Sequence, residues 1–196
     1  MEFNQEQYEK HAHTYIQNNS AGDVGGGTPV SRVDILQRFL PTGRKVFEIG
    51  AGGGLDAKIM SELGYVVMAS DFTESFVKRL QQNGLNATFF DAKKDILPEE
   101  YDAIYANAVF VHFSPDEIKT FLNKNKTKLT NEKLIFLSVL KGLGHHRSAR
   151  SRGFERDFYY YQRDFINHIL HSAGFIILYQ QEVADKWIHI IATVEK

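Results

Sequence analysis

The residues of this chain best placed to do chemistry stand in one short stretch, Glu48-Ile49-Gly50-Ala51-Gly52-Gly53-Gly54-Leu55-Asp56, followed by Asp71. An apolar run from Val46 to Ile49 leads into a glycine-rich turn and then into an amphipathic pattern. Glycines let the backbone turn tightly and let a bulky ligand lie against the main chain, and the N-terminus of the next helix offers free N–H groups and a partial positive charge. Asp71 closes the next apolar run, about 20 residues on, where a carboxylate can accept hydrogen bonds from two ribose hydroxyls. The layout is that of a site for an adenosine-containing cofactor in an open α/β sheet.

The surrounding pattern supplies such a sheet. Residues 2–16 read as a helix, with Phe3, Tyr8, Ala12, Tyr15 and Ile16 roughly on one face. An Asn-, Ser- and Gly-rich loop, 18–27, precedes Thr28-Pro29, a good helix start with Thr as N-cap. That helix runs to about Leu40. Strands are expected at 45–49, 65–70, 87–90, 101–109 and 134–140. Helices between them carry apolar stripes at Leu55, Ile59 and Leu63, at Phe76, Val77 and Leu80 with Thr73 as cap, and at Ile118, Phe121 and Leu122 after the capping box Ser114-Pro115-Asp116-Glu117. The Gly-, His- and Arg-rich segment 142–156 reads as a loop. A last helix through Phe165, Ile166, Ile169 and Leu170 precedes two strands, 175–180 and 187–194, that form a hairpin. One hairpin strand must therefore run against the parallel set. The expected fold is α/β, a doubly wound Rossmann-like seven-stranded sheet, mostly parallel with an antiparallel C-terminal strand and helices on both faces. Residues 1–27 are expected to form an N-terminal lid and 28–196 a single cofactor-binding domain.

Composition narrows the chemistry. The 196 residues suit one large domain, and 43% hydrophobic with 24% charged residues is ordinary for a globular protein. There is no cysteine, which excludes disulfides, thiolate metal sites and cysteine nucleophiles. A net charge of −1 gives no global pull towards nucleic acid or an anionic membrane. The polar N-terminus lacks a signal-peptide core, and no apolar run approaches a membrane span. Cytoplasmic location, no membrane or nucleic-acid partner, and a monomer or homodimer are the expectations.

Glu48-x-Gly50-x-Gly52-x-Gly54, then Asp71, then Asp91-Ala92, resembles the class I S-adenosylmethionine-dependent methyltransferases. The resemblance runs from Tyr8 to the final hairpin. It is nearest to small bacterial methyltransferases with a Tyr…His-Ala…Tyr leading helix, here Tyr8, His11-Ala12 and Tyr15, and an Ala…His turn after the fourth strand, here Ala108 and His112. It implies S-adenosylmethionine as cofactor, S-adenosylhomocysteine as product and no metal. It implies that Gly50, Ala51 and Gly52 approach the methionine part by backbone, and that Glu48 anchors the loop or bonds the amino group through water. Asp71 would bind the ribose, Phe72 would lie beside the adenine, and Asp91 and Ala92 would bond its amino edge. Asn107 would meet the amino end by its carbonyl, and Tyr15 would close over the carboxylate. Tyr15 equally suits a core aromatic; the lesser alternatives are a helix cap for Asp71 and a turn carboxylate for Asp91.

A dinucleotide site is the rival. G-x-G-x-x-G fails from Gly50, because position 55 is Leu; Gly52 to Ala57 fits G-x-G-x-x-A but starts too far past the strand. Asp56 at the helix start and Glu48 nearby suit a cationic ligand better than a pyrophosphate. A non-catalytic cofactor-binding module is a further alternative, and the glycine motif does not separate it from an enzyme.

Methyl transfer from a sulfonium needs donor and acceptor held in line, with a base only if the acceptor must lose a proton. His112 is the candidate base, since it follows the fourth strand; it equally suits a histidine that fixes the turn before Ser114. The Asn-Pro-Pro-aromatic motif of amide and adenine methylation is absent, Asn107-Ala108-Val109-Phe110 standing in its place. Arg147, with Arg150 or Arg152, could clamp an acidic acceptor, and Tyr160 in the run Phe158-Tyr159-Tyr160-Tyr161 could line its pocket. Adjacent His145 and His146 point apart and do not suggest a metal. With only a small lid beyond the cofactor fold, the expected acceptor is a small molecule.

Overall fold

The structure, a computed structural model, describes residues 2–18, 25–149 and 153–195. Helices α1 (Phe3–Asn18) and α2 (Pro29–Gln37) precede β1 (Lys45–Ile49), α3 (Leu55–Glu62), β2 (Val66–Asp71), α4 (Glu74–Gln82), β3 (Ala87–Phe89) and β4 (Tyr101–Ala106). Then come α5 (Pro115–Asn125), β5 (Leu129–Lys141), β6 (Gly144–Ser148), β7 (Arg156–Tyr161), α6 (Arg163–Ser172), β8 (Phe175–Val183) and β9 (Trp187–Val194). Strands β3, β2, β1, β4 and β5 lie side by side and parallel. β9 runs antiparallel to β5 and β8 antiparallel to β9, which completes the seven-stranded doubly wound sheet expected from the sequence.

Two sets of side chains explain why the central strands lack alternation. Phe47, Ile104, Ile135 and Leu137 pack on one face against Phe121, Leu122, Ile166 and Leu170 of α5 and α6. Val46, Ala103, Tyr105 and Phe136 pack on the other against Val33, Leu36 and Met60 of α2 and α3. Strands covered on both faces read as continuous apolar runs, and each Val, Leu, Ile, Phe or Met among these side chains contributes about 1.5–3 kcal/mol on burial. Local signals start the helices: Thr28 Oγ1 accepts from Ser31 N at 3.1 Å before α2, and Ser114 and Glu117 form the capping box of α5. Thr73 occupies the N-cap of α4 but makes no side-chain cap bond; Asp71 Oδ1 accepts from its N–H instead.

Two expectations change. The fourth strand stops at Ala106, because Ala108 takes a left-handed φ of 57° and Phe110–His112 coil into a 3₁₀ turn. The segment 142–156 is not simply a loop: β6 and β7 form an antiparallel ribbon that adds two strands beside the end of β5. Cross-strand pairs hold it, His145 over Tyr159 and Arg147 opposite Asp157. Helix α1 lies outside the alternation and docks on this ribbon. Asn4 acts there like a peptide group, its Oδ1 accepting from Asp157 N (2.8 Å) and its Nδ2 donating to Asp157 O (3.3 Å).

Candidate functional site

The carboxyl ends of β1, β2 and β4, the turn after β3, α1 and the start of β7 surround a cleft of about 280 Å³. Tyr15, Glu48, Gly50, Ala51, Gly52, Asp71, Phe72, Asp91, Ala92, Asn107 and His112 all line it. Arg147 and Tyr160 do not. Arg147 is exposed, forks onto Asp157 with two bonds of 2.9 Å and stacks over Phe3, while Tyr160 packs against Gly142 and His146. Both pack on and along the ribbon. Arg150 and Arg152, and residues 19–24 of the expected loop, lie outside the described residues.

On the sheet side, the turn from β1 to α3 requires glycine at Gly50. Its φ is 66°, and a Cβ there would fall 2.6 Å from Val109 Cγ2. The turn is locked to the end of β2: Asp71, 3% exposed, accepts from Gly52 N at 3.0 Å and from Thr73 N at 2.9 Å. Burial raises the Asp71 pKa to about 6 against the pull of those N–H donors. Each carboxylate oxygen keeps a further lone pair for a hydroxyl donor. Asp91 is tied into its own turn by Lys93 N (3.0 Å) and Lys94 Nζ (2.6 Å), so the carboxylate serves the turn while lining the cleft.

Asp56 is not the bare negative charge expected at the start of α3. Arg32, 2% exposed, pairs with it (Nη2–Oδ1 2.9 Å), and Tyr105 Oη and Asn107 Nδ2 also donate to it. Burial holds the Glu48 pKa well above the usual carboxylate range, with the nearby Asp56 charge reinforcing it, and its Oε2 has no partner. The electrostatic argument against a pyrophosphate therefore loses most of its force; the glycine register is what stands. Arg32 also donates to Gly26 O (3.3 Å) and Gly27 O (2.8 Å), and His189 Nε2 donates to Gly25 O (2.6 Å). Gly25 lies so close to Asn107 that a Cβ would fall 1.8 Å from its Oδ1. Gly25 to Gly27, just ahead of α2, are thus pinned against the sheet at the cleft.

Tyr8, Phe72 and Phe76 make edge contacts at the lid side, and Tyr15 is half-buried against Tyr8 and Phe76, both cleft wall and packing aromatic. His112 Nδ1 lies 2.7 Å from Asp157 O, which only accepts, so Nδ1 carries the proton. Nε2 then accepts from Tyr8 Oη at 3.0 Å, and Tyr8 Oη in turn accepts from Arg156 Nη1 at 3.3 Å. Sequence reasoning missed Arg32, Trp187 and Arg156 as cleft residues, and within the run 158–161 it is Phe158 rather than Tyr160 that lines the cleft. Among the described residues no three His, Asp or Glu side chains cluster to hold a metal, and no helix is long and apolar enough to cross a membrane.

Residues 29–180 match the methyltransferase domain family, and the chain belongs to that family. No curated protein is significantly similar in sequence. Among solved structures, the Burkholderia thailandensis 1,6-didemethyltoxoflavin-N1-methyltransferase with bound 1,6-didemethyltoxoflavin and S-adenosylhomocysteine superposes with TM-score 0.77 at 19% identity, over 98% of this chain and 87% of that one. DhpI in complex with S-adenosylhomocysteine gives 0.76 at 14%, over 98% and 95%. A TehB-like S-adenosylmethionine-dependent methyltransferase from Corynebacterium glutamicum gives 0.69 at 16%, over 95% and 99%. At these identities the likeness is one of fold.

Proposed function

We propose that this chain is an S-adenosylmethionine-dependent methyltransferase acting on a small-molecule acceptor, as a monomer or homodimer in the cytoplasm. Residues 1–27 serve as its lid and 28–196 as its catalytic domain. The observation that carries the reading is the buried Asp71 carboxylate, fixed by the N–H groups of Gly52 and Thr73 beside the unpartnered Glu48 Oε2, in one cleft with His112. An orphaned buried oxygen asks for a donor from a ligand.

When bound, S-adenosylmethionine supplies a methyl group on a positively charged sulfur. Asp71 would hold its ribose hydroxyls, Asp91, Ala92 and Phe72 its adenine, and Gly50 to Gly52, Glu48, Asn107 and Tyr15 its methionyl end. A carboxyl whose pKa is raised, as at Glu48, can donate as well as accept there. The aromatic side chains of α1 exclude water from the acceptor side. An acceptor that loses a proton passes it to Tyr8 Oη while Tyr8 gives its own to His112 Nε2. His112 is then the proton's destination and Tyr8 the group in reach of the acceptor.

Calorimetric titration with S-adenosylmethionine, S-adenosylhomocysteine and NAD tests the cofactor. The two adenosyl ligands should bind comparably and NAD not at all. Asp71→Ala should weaken both by about 10- to 150-fold, the worth of hydrogen bonds to a charged group. Binding of NAD alone would overturn the proposal.

A further inference from the structure

The cleft has two halves of opposite character. Glu48, Asp71 and Asp91 lie on the sheet side, and Arg156 stands on the lid side at the first position of β7. The cations that line the cleft differ in how their charge is answered. Arg32 is paired with Asp56, Lys93 with Glu2 and Glu117, and Lys186 is exposed to solvent. Arg156 is 4% exposed, and among the described residues no carboxylate lies within ion-pair distance of it. Its Nη1 donates to Tyr8 Oη and its Nη2 to Ala149 O at 3.0 Å, both uncharged, and its Nε has no partner. Its guanidinium lies over the rings of Phe154 (4.5 Å), Phe158 (5.1 Å) and Tyr8 (5.6 Å). Ring faces offset part of the cost of burying a cation, but a buried charge is ordinarily met by an opposite one. Arg is also the side chain best shaped to fork onto a carboxylate.

We infer that the methyl acceptor is a planar aromatic anion whose negative charge is met by Arg156. The inference rests on the methyltransferase reading and narrows its substrate class. Planarity follows from the walls, since Tyr8, Phe158 and Trp187 line the same cleft. Charge follows from Arg156. The same anion would place its acidic hydroxyl or ring N–H towards Tyr8, whose hydroxyl joins Arg156 to His112.

The test uses two matched pairs that differ only in charge, 3-hydroxybenzoate against 3-hydroxybenzamide and 2-naphthoate against 2-naphthamide. Each is titrated by calorimetry into the full chain saturated with S-adenosylhomocysteine. The acids should bind at least about tenfold more tightly than the amides, the least expected of a charge-assisted contact. The preference should vanish in Arg156→Gln and survive in part in Arg156→Lys, with affinity for S-adenosylhomocysteine changed by no more than about twofold. A guanidinium that only ties the ribbon to α1 would change stability on substitution without creating or removing a preference for acids. Equal binding of acid and amide to the wild type overturns the inference, as does binding of none of the four. A preference that persists in Arg156→Gln also overturns it, as does a loss of S-adenosylhomocysteine affinity in that variant, which would assign Arg156 to the cofactor. The wild-type comparison decides even if the Gln variant does not fold. Failure of the wild type to bind S-adenosylhomocysteine would bring down the methyltransferase reading itself; binding without charge preference would bring down this inference alone.

Discussion

The two sides of the cleft are built in opposite ways. The sheet side is assembled from neighbours: Asp71 at the end of β2 bonds Gly52, 19 positions away, and Asp56 in the first turn of α3 bonds Arg32 of α2, 24 away, around strands that are covered on both faces. The lid side is assembled from strangers, with Tyr8 bonding His112 across 104 positions and Arg156 across 148. Close packing fixes the first; the second depends on α1 staying docked on β7 through Asn4 and Asp157. Damage to the first should appear as lost stability or cofactor affinity. Damage to the second should appear in turnover.

Arg32→Met should break the comparison hardest. It leaves the Asp56 carboxylate buried without its cation, and removal of one member of such a pair costs about 3–5 kcal/mol. Urea denaturation measures it. Arg32→Met combined with Asp56→Leu should recover much of that loss, because neither member of the pair is then left as an unanswered charge. A double variant no more stable than the single one would mean that Arg32 works through the carbonyls of Gly26 and Gly27 instead.

Asp71 makes the sheet side pH-sensitive. Its pKa is raised from the ordinary 3.8 to about 6 by burial. At low pH the group is protonated in folded and unfolded chains alike and costs nothing. As pH climbs from about 4 to 6 the unfolded chain releases the proton first, so the folded state loses about 3 kcal/mol relative to it. Asp71→Asn cannot ionise. Its stability relative to wild type should therefore improve by about that amount between pH 4 and 7, read from denaturation curves at each pH. A flat difference would show that Asp71 does not titrate in this window. The carboxylate proposed to hold the ribose would thus do so at a cost to the fold, which fits a site shaped for a ligand rather than for stability.

Tyr8→Phe probes the lid side. It keeps the ring but removes the hydroxyl that links His112 to Arg156. With an acceptor that must lose a proton, kcat should fall by about 10²-fold or more while S-adenosylhomocysteine affinity stays within about twofold. His112→Ala should fall to a similar level, and the double variant should be little worse than either, as expected of residues that act as a unit. Additive losses would separate the two roles.

This division also explains what the sequence discloses. The β1–α3–β2 unit was legible because its glycines, its strand and its carboxylate follow one another in the chain. The helix starts at Thr28 and Ser114 were legible because a cap is a local bond. The ribbon was not. Gly144-His145-His146-Arg147-Ser148 carries no strand signal of its own and is ordered by its pairing with Arg156 to Tyr160. Nor could the sequence choose between Arg147 and Arg156. Alternation decides which residues of β7 face the cleft, so Arg156 and Phe158 line it while Asp157 between them turns outward to Arg147. A one-residue slip of both strands of the ribbon would turn Arg156 out of the cleft and Arg147 towards it.

Arg147→Ala is the smallest expected effect and the sharpest check on this register. Arg147 is exposed, and its partner Asp157 also accepts from His145 (3.2 Å), so the carboxylate keeps a cation when His145 is protonated. Arginine draws the Asp157 pKa below the usual carboxylate value through its hydrogen bonds, and the substitution should let it rise. Turnover and acceptor affinity should change by no more than about twofold, as for most surface substitutions. Arg156→Gln, nine positions on, should abolish acid-over-amide discrimination. If Arg147→Ala removed that discrimination and Arg156→Gln spared it, the clamp read from the arginine-rich segment would be the true one. The strand would then have to sit one residue out of the register seen here, with Asp157 and Tyr159 turned into the cleft.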